Sequence, residues 1–139
     1  MRVGIMDPVE SHARCPCGTG LVYGECCGPL HRGLAAARTA EQLMRSRYSA
    51  FAVGDPAYLL RSWHPDTRPA TLDLDADTRW LWLEIVRVER GGELDAQGVV
   101  EFRAKYRADA PGGRSSGVQH EISSFSRVDG AWVYVDGEA

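Results

Sequence analysis

The sequence predicts an α+β protein in which two helices precede an antiparallel sheet. Apolar residues recur at helical spacing from residue 39 to residue 63, and strand-like alternation dominates the chain from residue 80 onwards. A length of 139 residues allows one ordinary domain with a small appendage. Helices first and strands afterwards are typical of an α+β domain whose sheet curves around the first helix.

The appendage is predicted by a cysteine-rich stretch near the start of the chain. It contains a C-x-C pair, eight further residues and a C-C pair, which together are all the cysteines of the protein: Cys15, Cys17, Cys26 and Cys27. Neighbouring cysteines bridge each other only with strain, so two relaxed disulfides are disfavoured. Four thiolates in two close pairs can instead close a tetrahedron around zinc. Free or redox-active thiols remain an alternative, and His31 could replace one cysteine as a ligand.

The backbone of the cysteine stretch is rich in glycine, at positions 18, 20, 24 and 28. Glycine takes positive φ angles without steric cost, so these residues would let the chain wrap tightly around an ion. A unit this small has no core of its own. We therefore expect its stability to come from metal ligation, which is worth roughly 10–16 kcal/mol in small zinc modules.

The first predicted helix spans residues 41–52. Thr39 and Gln42 form a capping-box pattern at its start, and Gly54 stands just beyond its end, where glycine is favoured. The apolar residues at helical spacing predict one buried face, made of Leu43, Met44, Tyr48 and Phe51.

A second helix is predicted over residues 57–63, with Asp55 as its cap and Pro56 at its first position, and it stops before Pro65. The loop that follows, residues 67–77, carries alternating aspartates at positions 73, 75 and 77. Calcium binding is conceivable there, but the loop lacks the glycine and the distal glutamate of an EF-hand. A solvated acidic face is the favoured interpretation.

Four strands are predicted in the rest of the chain, over residues 80–89, 99–108, 118–128 and 131–136. The second alternates apolar and charged residues, which indicates a half-buried strand with one solvent face. Glycine-containing turns separate the strands, and the last turn, Asp129-Gly130, is a two-residue hairpin signal.

Charge and hydropathy exclude several classes of protein. The net charge of −3 makes non-specific nucleic-acid binding a poor prediction. Apolar runs stay well short of the roughly 20 residues of a membrane span. Residues 1–11 resemble a loose leader and lack the apolar segment of a signal peptide. Clustered cysteines without such a signal predict a cytoplasmic protein.

The cysteine stretch resembles the SEC-C motif, a small zinc-binding module found at the C-terminal end of the SecA translocation ATPase and in many other bacterial proteins. The matching residues are Cys15-Pro16-Cys17-Gly18, Gly20, Tyr23 and Cys26-Cys27-Gly28. Thr19 stands where the motif usually has Ser, and the usual lysines around the tyrosine are absent. The resemblance implies a motif over residues 12–32 with one structural Zn²⁺ held by Cys15, Cys17, Cys26 and Cys27.

The order of motifs along the chain resembles the YchJ-like family of small bacterial proteins of unknown function. The motifs are the cysteine stretch, the segment 43–51, Trp63-His64-Pro65, the third strand with Glu121, and Trp132-x-Tyr134-x-Asp136-Gly137. The resemblance implies that residues 38–139 form a cystatin-like cone, as in nuclear transport factor 2 and ketosteroid isomerase. That fold hosts enzymes, binding proteins and dimerisation modules, so it does not assign a function.

The cone would enclose a pocket lined by residues from two helices and two strands. The candidates are Arg47, Tyr48, Trp63, His64, Glu121 and Asp136. Such an aromatic lining with a few titratable groups suits a small ligand, and a carboxylate in an apolar wall can act as a general base. The structural alternative is an ion pair that closes the helix onto the sheet, formed by Arg45 or Arg47 with Glu121 or Asp136.

Two functions follow from these patterns. The first is a protein-interaction adaptor, in which the structural zinc knuckle docks a protein partner, as the SEC-C resemblance implies. The second is a small-molecule or enzymatic pocket in the cone; the sequence leans away from an enzyme. Cone folds of this type often dimerise through the outer face of the sheet, which makes a homodimer a further expectation.

Overall fold

The computed structural model describes residues 11–139, so the predicted leader and the signal-peptide interpretation of residues 1–10 fall outside the described residues. The predicted α+β architecture is confirmed. Four antiparallel strands form one sheet in the order β1-β2-β3-β4, and the helices precede it in the chain. Between residues 11 and 139, no helix combines the length and the apolar character needed to cross a membrane.

Within residues 11–139, a short 3-10 helix (Tyr23–Glu25) and three α-helices precede the sheet, namely α1 (Cys27–His31), α2 (Ala40–Val53) and α3 (Pro56–Arg61). The hydroxyl of Thr39 accepts a hydrogen bond from the backbone N–H of Gln42 and caps α2 as predicted, at 3.0 Å. The reciprocal bond of a capping box is shifted by one residue, because the Gln42 side chain accepts from the N–H of Arg38. Gly54 ends α2 with a φ of 79°, and Asp55 caps α3.

The strands are β1 (Thr78–Arg90), β2 (Gln97–Ala110), β3 (Gly113–Val128) and β4 (Ala131–Glu138). The hairpin between β3 and β4 has positive φ angles at both Asp129 and Gly130, as the sequence predicted. β3 begins five residues before the predicted start at residue 118. Its first residues are exposed and polar, so they carry no burial alternation from which a strand could be predicted.

An irregularity in β4 changes which residues face the helices. Tyr134 pairs with Phe125 and Asp136 pairs with Ser124, so Val135 is an extra residue in β4. A β-bulge of this kind reverses the alternation of side chains beyond it. Gly137, opposite Ser123, therefore lies on the helix-facing side, and Asp136 lies on the outer side.

The core lies between α2 and the sheet. It is formed by Ala40, Leu43, Met44 and Tyr48 of α2 with Val100, Phe102, Ala104, Phe125 and Trp132 of the sheet. The prediction for Phe51 was wrong, because 37% of this residue is exposed and it contacts the Trp80 ring at the edge of the core. A second cluster, made of Leu30, Ala50, Tyr58 and Leu59, joins α1, α2 and α3.

Candidate metal centre and cone cavity

The four cysteines converge on one point. Their sulfur atoms all lie within 4.8 Å of one another, and the Sγ of Cys26 lies 3.5 Å from that of Cys17 and 4.0 Å from that of Cys27. Zn–S bonds of about 2.3 Å in a tetrahedron place sulfurs roughly 3.8 Å apart, so the cluster fits a four-thiolate metal site. Within residues 11–139, it is the one group of three or more side chains that could hold a metal ion.

The backbone around the cysteines uses its glycines in two ways. Gly18 and Gly20 have φ angles of 88° and 92°, as expected for a tight wrap. Gly24 and Gly28 do not take positive φ angles, which corrects the expectation for these two positions. At Gly28 the requirement is space, because a Cβ atom there would lie 2.7 Å from the carbonyl oxygen of Tyr23.

Close contact between the thiols makes their protonation unequal in the absence of a metal ion. Hydrogen bonds from the thiols of Cys15 and Cys27 lower the pKa of Cys17, and the same kind of contact raises the pKa of Cys27. Burial raises the pKa of Cys26 to about 11. Four neighbouring thiols therefore cannot all ionise without a cation, and a divalent metal supplies the charge that stabilises four thiolates.

His31 is not available as a ligand. Its Nε2 lies 2.8 Å from the carbonyl oxygen of Ser46, so Nε2 carries the proton and donates, and Nδ1 accepts from the hydroxyl of Tyr23 at 2.6 Å. Desolvation lowers the pKa of His31, so the ring is neutral. Both ring nitrogens are bonded within the protein, which leaves the four cysteines as the candidate ligands.

The cysteine stretch is bound to α2 by polar contacts. A guanidinium nitrogen of Arg45 donates to the carbonyl oxygen of Cys17 at 2.7 Å, and the Sγ of Cys15 lies 3.4 Å from the hydroxyl of Ser49. Arg61 of α3 donates to the carbonyl oxygen of His31. We call residues 12–32 the knuckle, and these contacts join it to the helices of the main domain.

A cavity of about 230 Å³ lies on another face of α2, between that helix and the sheet. Its apolar and aromatic walls are formed by Met44, Tyr48, Phe51, Trp63, Trp80 and Phe102. Its polar lining comprises Arg47, Gln119, Glu121, Ser123 and Tyr134. A concave apolar site with a few convergent polar groups is the usual form of a small-molecule site.

Arg47 is the buried cation of this cavity, with only 4% of the residue exposed. Its Nη1 donates to the carbonyl oxygen of Leu59 and to the hydroxyl of Ser62, at 2.8 and 2.7 Å. The guanidinium carbon lies 4.9 Å from the ring centroid of Trp63 and 4.5 Å from that of Tyr134. Burial lowers the pKa of Arg47 to about 10, so the side chain stays charged at neutral pH.

Glu121 is bonded entirely by neutral donors. Its Oε2 accepts from the hydroxyls of Ser123 and Tyr134 at 2.8 and 2.9 Å, and its Oε1 accepts from the amide of Gln119 at 3.2 Å. Within residues 11–139, no carboxylate oxygen lies within 4.0 Å of the Arg47 guanidinium. The predicted ion pair between α2 and Glu121 or Asp136 is therefore wrong, and Arg45 pairs with Glu41 instead.

Four of the six predicted pocket residues line the cavity: Arg47, Tyr48, Trp63 and Glu121. The other two do not. Asp136 is exposed on the outer face, because the bulge at Val135 turns it away. His64 stabilises the turn after α3, since its Nδ1 accepts from the N–H of Asp66 at 3.0 Å.

The sequence analysis missed several lining residues. The alternation of β3 places Ser123 on the same face as Glu121, and it could have placed Gln119 there too, two positions before Glu121. Trp63 is positioned by an isolated parallel bridge to Tyr134 of β4. That bridge joins residues 71 positions apart in the chain, and no local pattern could have indicated it.

Two family models match the chain. The model described as "YchJ, middle NTF2-like domain" matches residues 39–137, and the SEC-C motif matches residues 13–29. Among curated proteins, the UPF0225 protein of Streptomyces coelicolor is 56% identical over 89% of this chain and 94% of its own. A UPF0225 protein of Corynebacterium glutamicum is 52% identical over 90% of this chain and 96% of its own length.

Two solved structures are similar in both sequence and fold. A SEC-C motif containing protein from Rhodopseudomonas palustris is 34% identical, with a TM-score of 0.76, over 90% of this chain and 97% of its own. A second such protein, from Psychrobacter arcticus, is 32% identical, with a TM-score of 0.66, over 91% of this chain and 82% of its own length. The similarity thus includes both the cone and the knuckle.

Proposed function

This chain belongs to the UPF0225 family of YchJ-like proteins, and we propose that it binds a small molecule in its cone cavity. We further propose that a structural zinc ion holds the knuckle against α2, the helix that forms one wall of that cavity. The observation that carries the first proposal is the open volume of about 230 Å³ beside the buried Arg47. A structural ion pair would have closed the same space.

Zinc is the proposed ion because the ligand set is four thiolates. Soft thiolate ligands in tetrahedral arrangement select zinc or iron–sulfur chemistry, and a complete set of four protein ligands is typical of structural zinc. The same thiols favour the reducing cytoplasm as the location, since oxidation would destroy the ligand set. Metal analysis of the purified native protein tests the identity; one zinc per chain is the expected result, and a bound iron would contradict it.

The geometry favours binding over catalysis in the cavity. Glu121 is the carboxylate in the lining, and its oxygens already accept from Gln119, Ser123 and Tyr134. A general base must present a lone pair to the proton that it abstracts, and three of the roughly four lone pairs of this carboxylate are occupied. We therefore propose a binding protein, in which Glu121 helps to fix the shape and polarity of the site.

A fragment screen by ligand-observed NMR tests small-molecule binding. Gln119 is exposed and lines the cavity, so Gln119→Trp should obstruct the site at little cost in stability. Gln97→Trp, at an exposed glutamine of β2 outside this cavity, is the matched control. We expect binding fragments to be lost in the first variant and kept in the second. Fragments that bind both variants equally would contradict the cavity as the site.

Partner docking through the knuckle is a second proposal, supported by one observation. Leu21, next to the metal site, is 50% exposed, although the opposite face of the knuckle is occupied by α2. An exposed leucine on a metal-fixed loop suits a protein contact. The comparison of Leu21→Ser with wild type in a cross-linking experiment tests this role; identical cross-linked species in both would count against it.

A further inference from the structure

We infer that the ligand of the cone cavity is a small monocarboxylate with an apolar body, whose carboxylate binds the free Nε–Nη2 edge of Arg47. This inference rests on the proposed binding function and specifies the chemical class of the ligand. It follows from which polar groups of the cavity have partners within the protein and which do not.

Arg47 has unused hydrogen-bonding capacity. Both of its hydrogen bonds come from Nη1, so within residues 11–139 neither Nε nor Nη2 donates to a protein acceptor. Nε–H and the neighbouring N–H of Nη2 form the parallel fork that matches the two oxygens of a carboxylate. Buried charges are normally paired, and a cation with 4% exposure and no carboxylate within 4.0 Å departs from that rule.

Trp63 supplies a second donor without a partner. Its indole Nε1 is buried and has no acceptor among the described residues, although the ring lines the cavity. Glu121 is the opposite case, because three donors already occupy most of the acceptor sites of its carboxylate. Within residues 11–139, these donors of Arg47 and Trp63 therefore lack acceptors, whereas the Glu121 oxygens have donors. A ligand that complements them is an acceptor with a negative charge.

The rest of the cavity indicates an apolar body of limited size. Apart from its polar edge, the wall is made of aromatic rings and Met44. The volume of about 230 Å³ lies below the roughly 300–1,000 Å³ of pockets that hold drug-sized ligands, so the site suits a smaller molecule. Inorganic phosphate would leave these walls unfilled, so an aromatic or branched carboxylate fits better.

Titration of the full-length, metal-loaded protein with benzoate and with benzamide separates charge from shape, because the two probes differ mainly in the carboxylate. We expect benzoate to bind at least tenfold more tightly, and inorganic phosphate at tenfold excess not to displace it. Equal affinity for the two probes would overturn the carboxylate class and leave the cavity as a general small-molecule site. Displacement by phosphate would overturn the apolar body. If neither these probes nor the fragment screen gives a ligand that Gln119→Trp excludes, the proposed binding function fails with the inference.

Two variants test Arg47 itself. Arg47→Lys keeps the charge but removes the fork, and we expect the preference for benzoate over benzamide to fall at least fivefold. Arg103→Lys, at an exposed arginine of β2, is the matched control and should keep the preference.

Because Arg47→Lys could also disturb the contact between α2 and α3, Glu121→Gln serves as a second variant. It removes a negative charge from the cavity lining, so the preference for benzoate over benzamide should rise. A benzoate preference unchanged in Arg47→Lys, or lowered in Glu121→Gln, would overturn the inference.

Discussion

Two faces of α2 bury polar groups in opposite ways. On the face towards the knuckle, Ser46, Ser49 and Arg45 contact groups of the knuckle or α3, and the buried His31 ring has a partner at each nitrogen. On the face towards the cavity, Arg47 is equally buried but keeps an unused donor edge beside open space. Complete pairing is typical of a structural contact, and incomplete pairing beside a cavity is typical of a binding site.

This difference indicates separate roles for the knuckle and the cavity. The knuckle stabilises α2 from outside, and α2 presents Arg47 to the cavity from inside. The four predictions that follow test whether the first face is structural and the second is not, beginning with the largest expected effect.

Removal of the metal should destabilise the whole protein. Chelation, or the double substitution Cys26→Ser with Cys27→Ser, should lower Tm by at least about 10 °C, because the knuckle loses its metal and with it the contacts to Ser49 and Ser46. Differential scanning calorimetry with and without chelator measures the shift. His12→Ala, at an exposed histidine of the knuckle, is the control and should leave Tm unchanged. A cone that melts at the same temperature after chelation would mean that the knuckle is a separable module.

Gly137→Ala should disturb the cavity face. A Cβ atom at this position would overlap the Glu121 carboxylate, which occupies the space left by the missing side chain. We expect a loss of about 1–3 kcal/mol in the free energy of unfolding, typical of overpacking. Urea denaturation measures it. Gly112→Ala, where a Cβ atom would meet no neighbour within 4 Å, is the matched control; equal losses in the two variants would contradict the role of Gly137.

Stability should fall as the pH drops below 6.5, and His31 should contribute to the fall. Burial lowers the pKa of His31 from its ordinary value of 6.5, so below that pH the unfolded chain binds a proton that the folded chain does not. The contribution is complete above pH 6.5 and is lost towards acid with a slope of at most about 1.4 kcal/mol per pH unit. Protonation of the thiolates adds its own acid sensitivity. His31→Gln keeps the acid sensitivity of the thiolates and should make the free energy of unfolding fall less steeply below pH 6.5, whereas His12→Gln, the control, should not. Urea denaturation across this pH range measures both. Parallel pH curves for wild type and His31→Gln would exclude the contribution of His31.

The same change at two tyrosines should have unequal effects on the two faces. Tyr58→Phe removes the hydrogen bond between the Tyr58 hydroxyl and that of Ser46, at 2.6 Å in a buried contact, and should cost about 1 kcal/mol. Tyr48→Phe removes a hydroxyl that makes no hydrogen bond within residues 11–139, and should change stability by less than about 0.5 kcal/mol. Urea denaturation of both variants measures the difference. A larger loss at Tyr48 would reveal a polar contact on the cavity face and weaken the contrast.

Much of this architecture was predictable because its signals are local. Helix caps at Thr39 and Asp55, the stop at Gly54 and the Asp129-Gly130 hairpin each depend on a few adjacent residues whose backbone preferences the sequence states directly. The cysteine cluster belongs to the same class, since its two close pairs are joined by a short loop. The sequence alone determined the order of elements, the ligand set proposed for the metal and the polar face of β3 that contains Glu121.

Only the tertiary structure decided the pairing of the buried polar groups. A single extra residue at Val135 reverses the faces of β4 and removes Asp136 from the cavity, and nothing in the composition of the strand indicates that bulge. Whether Arg47 meets a carboxylate or an open volume depends on the positions of α3 and β4, which are distant in the chain. The sequence shows which charged residues the core must accommodate. The packing of elements that are distant in the chain decides which of these residues retain a donor or acceptor without a partner.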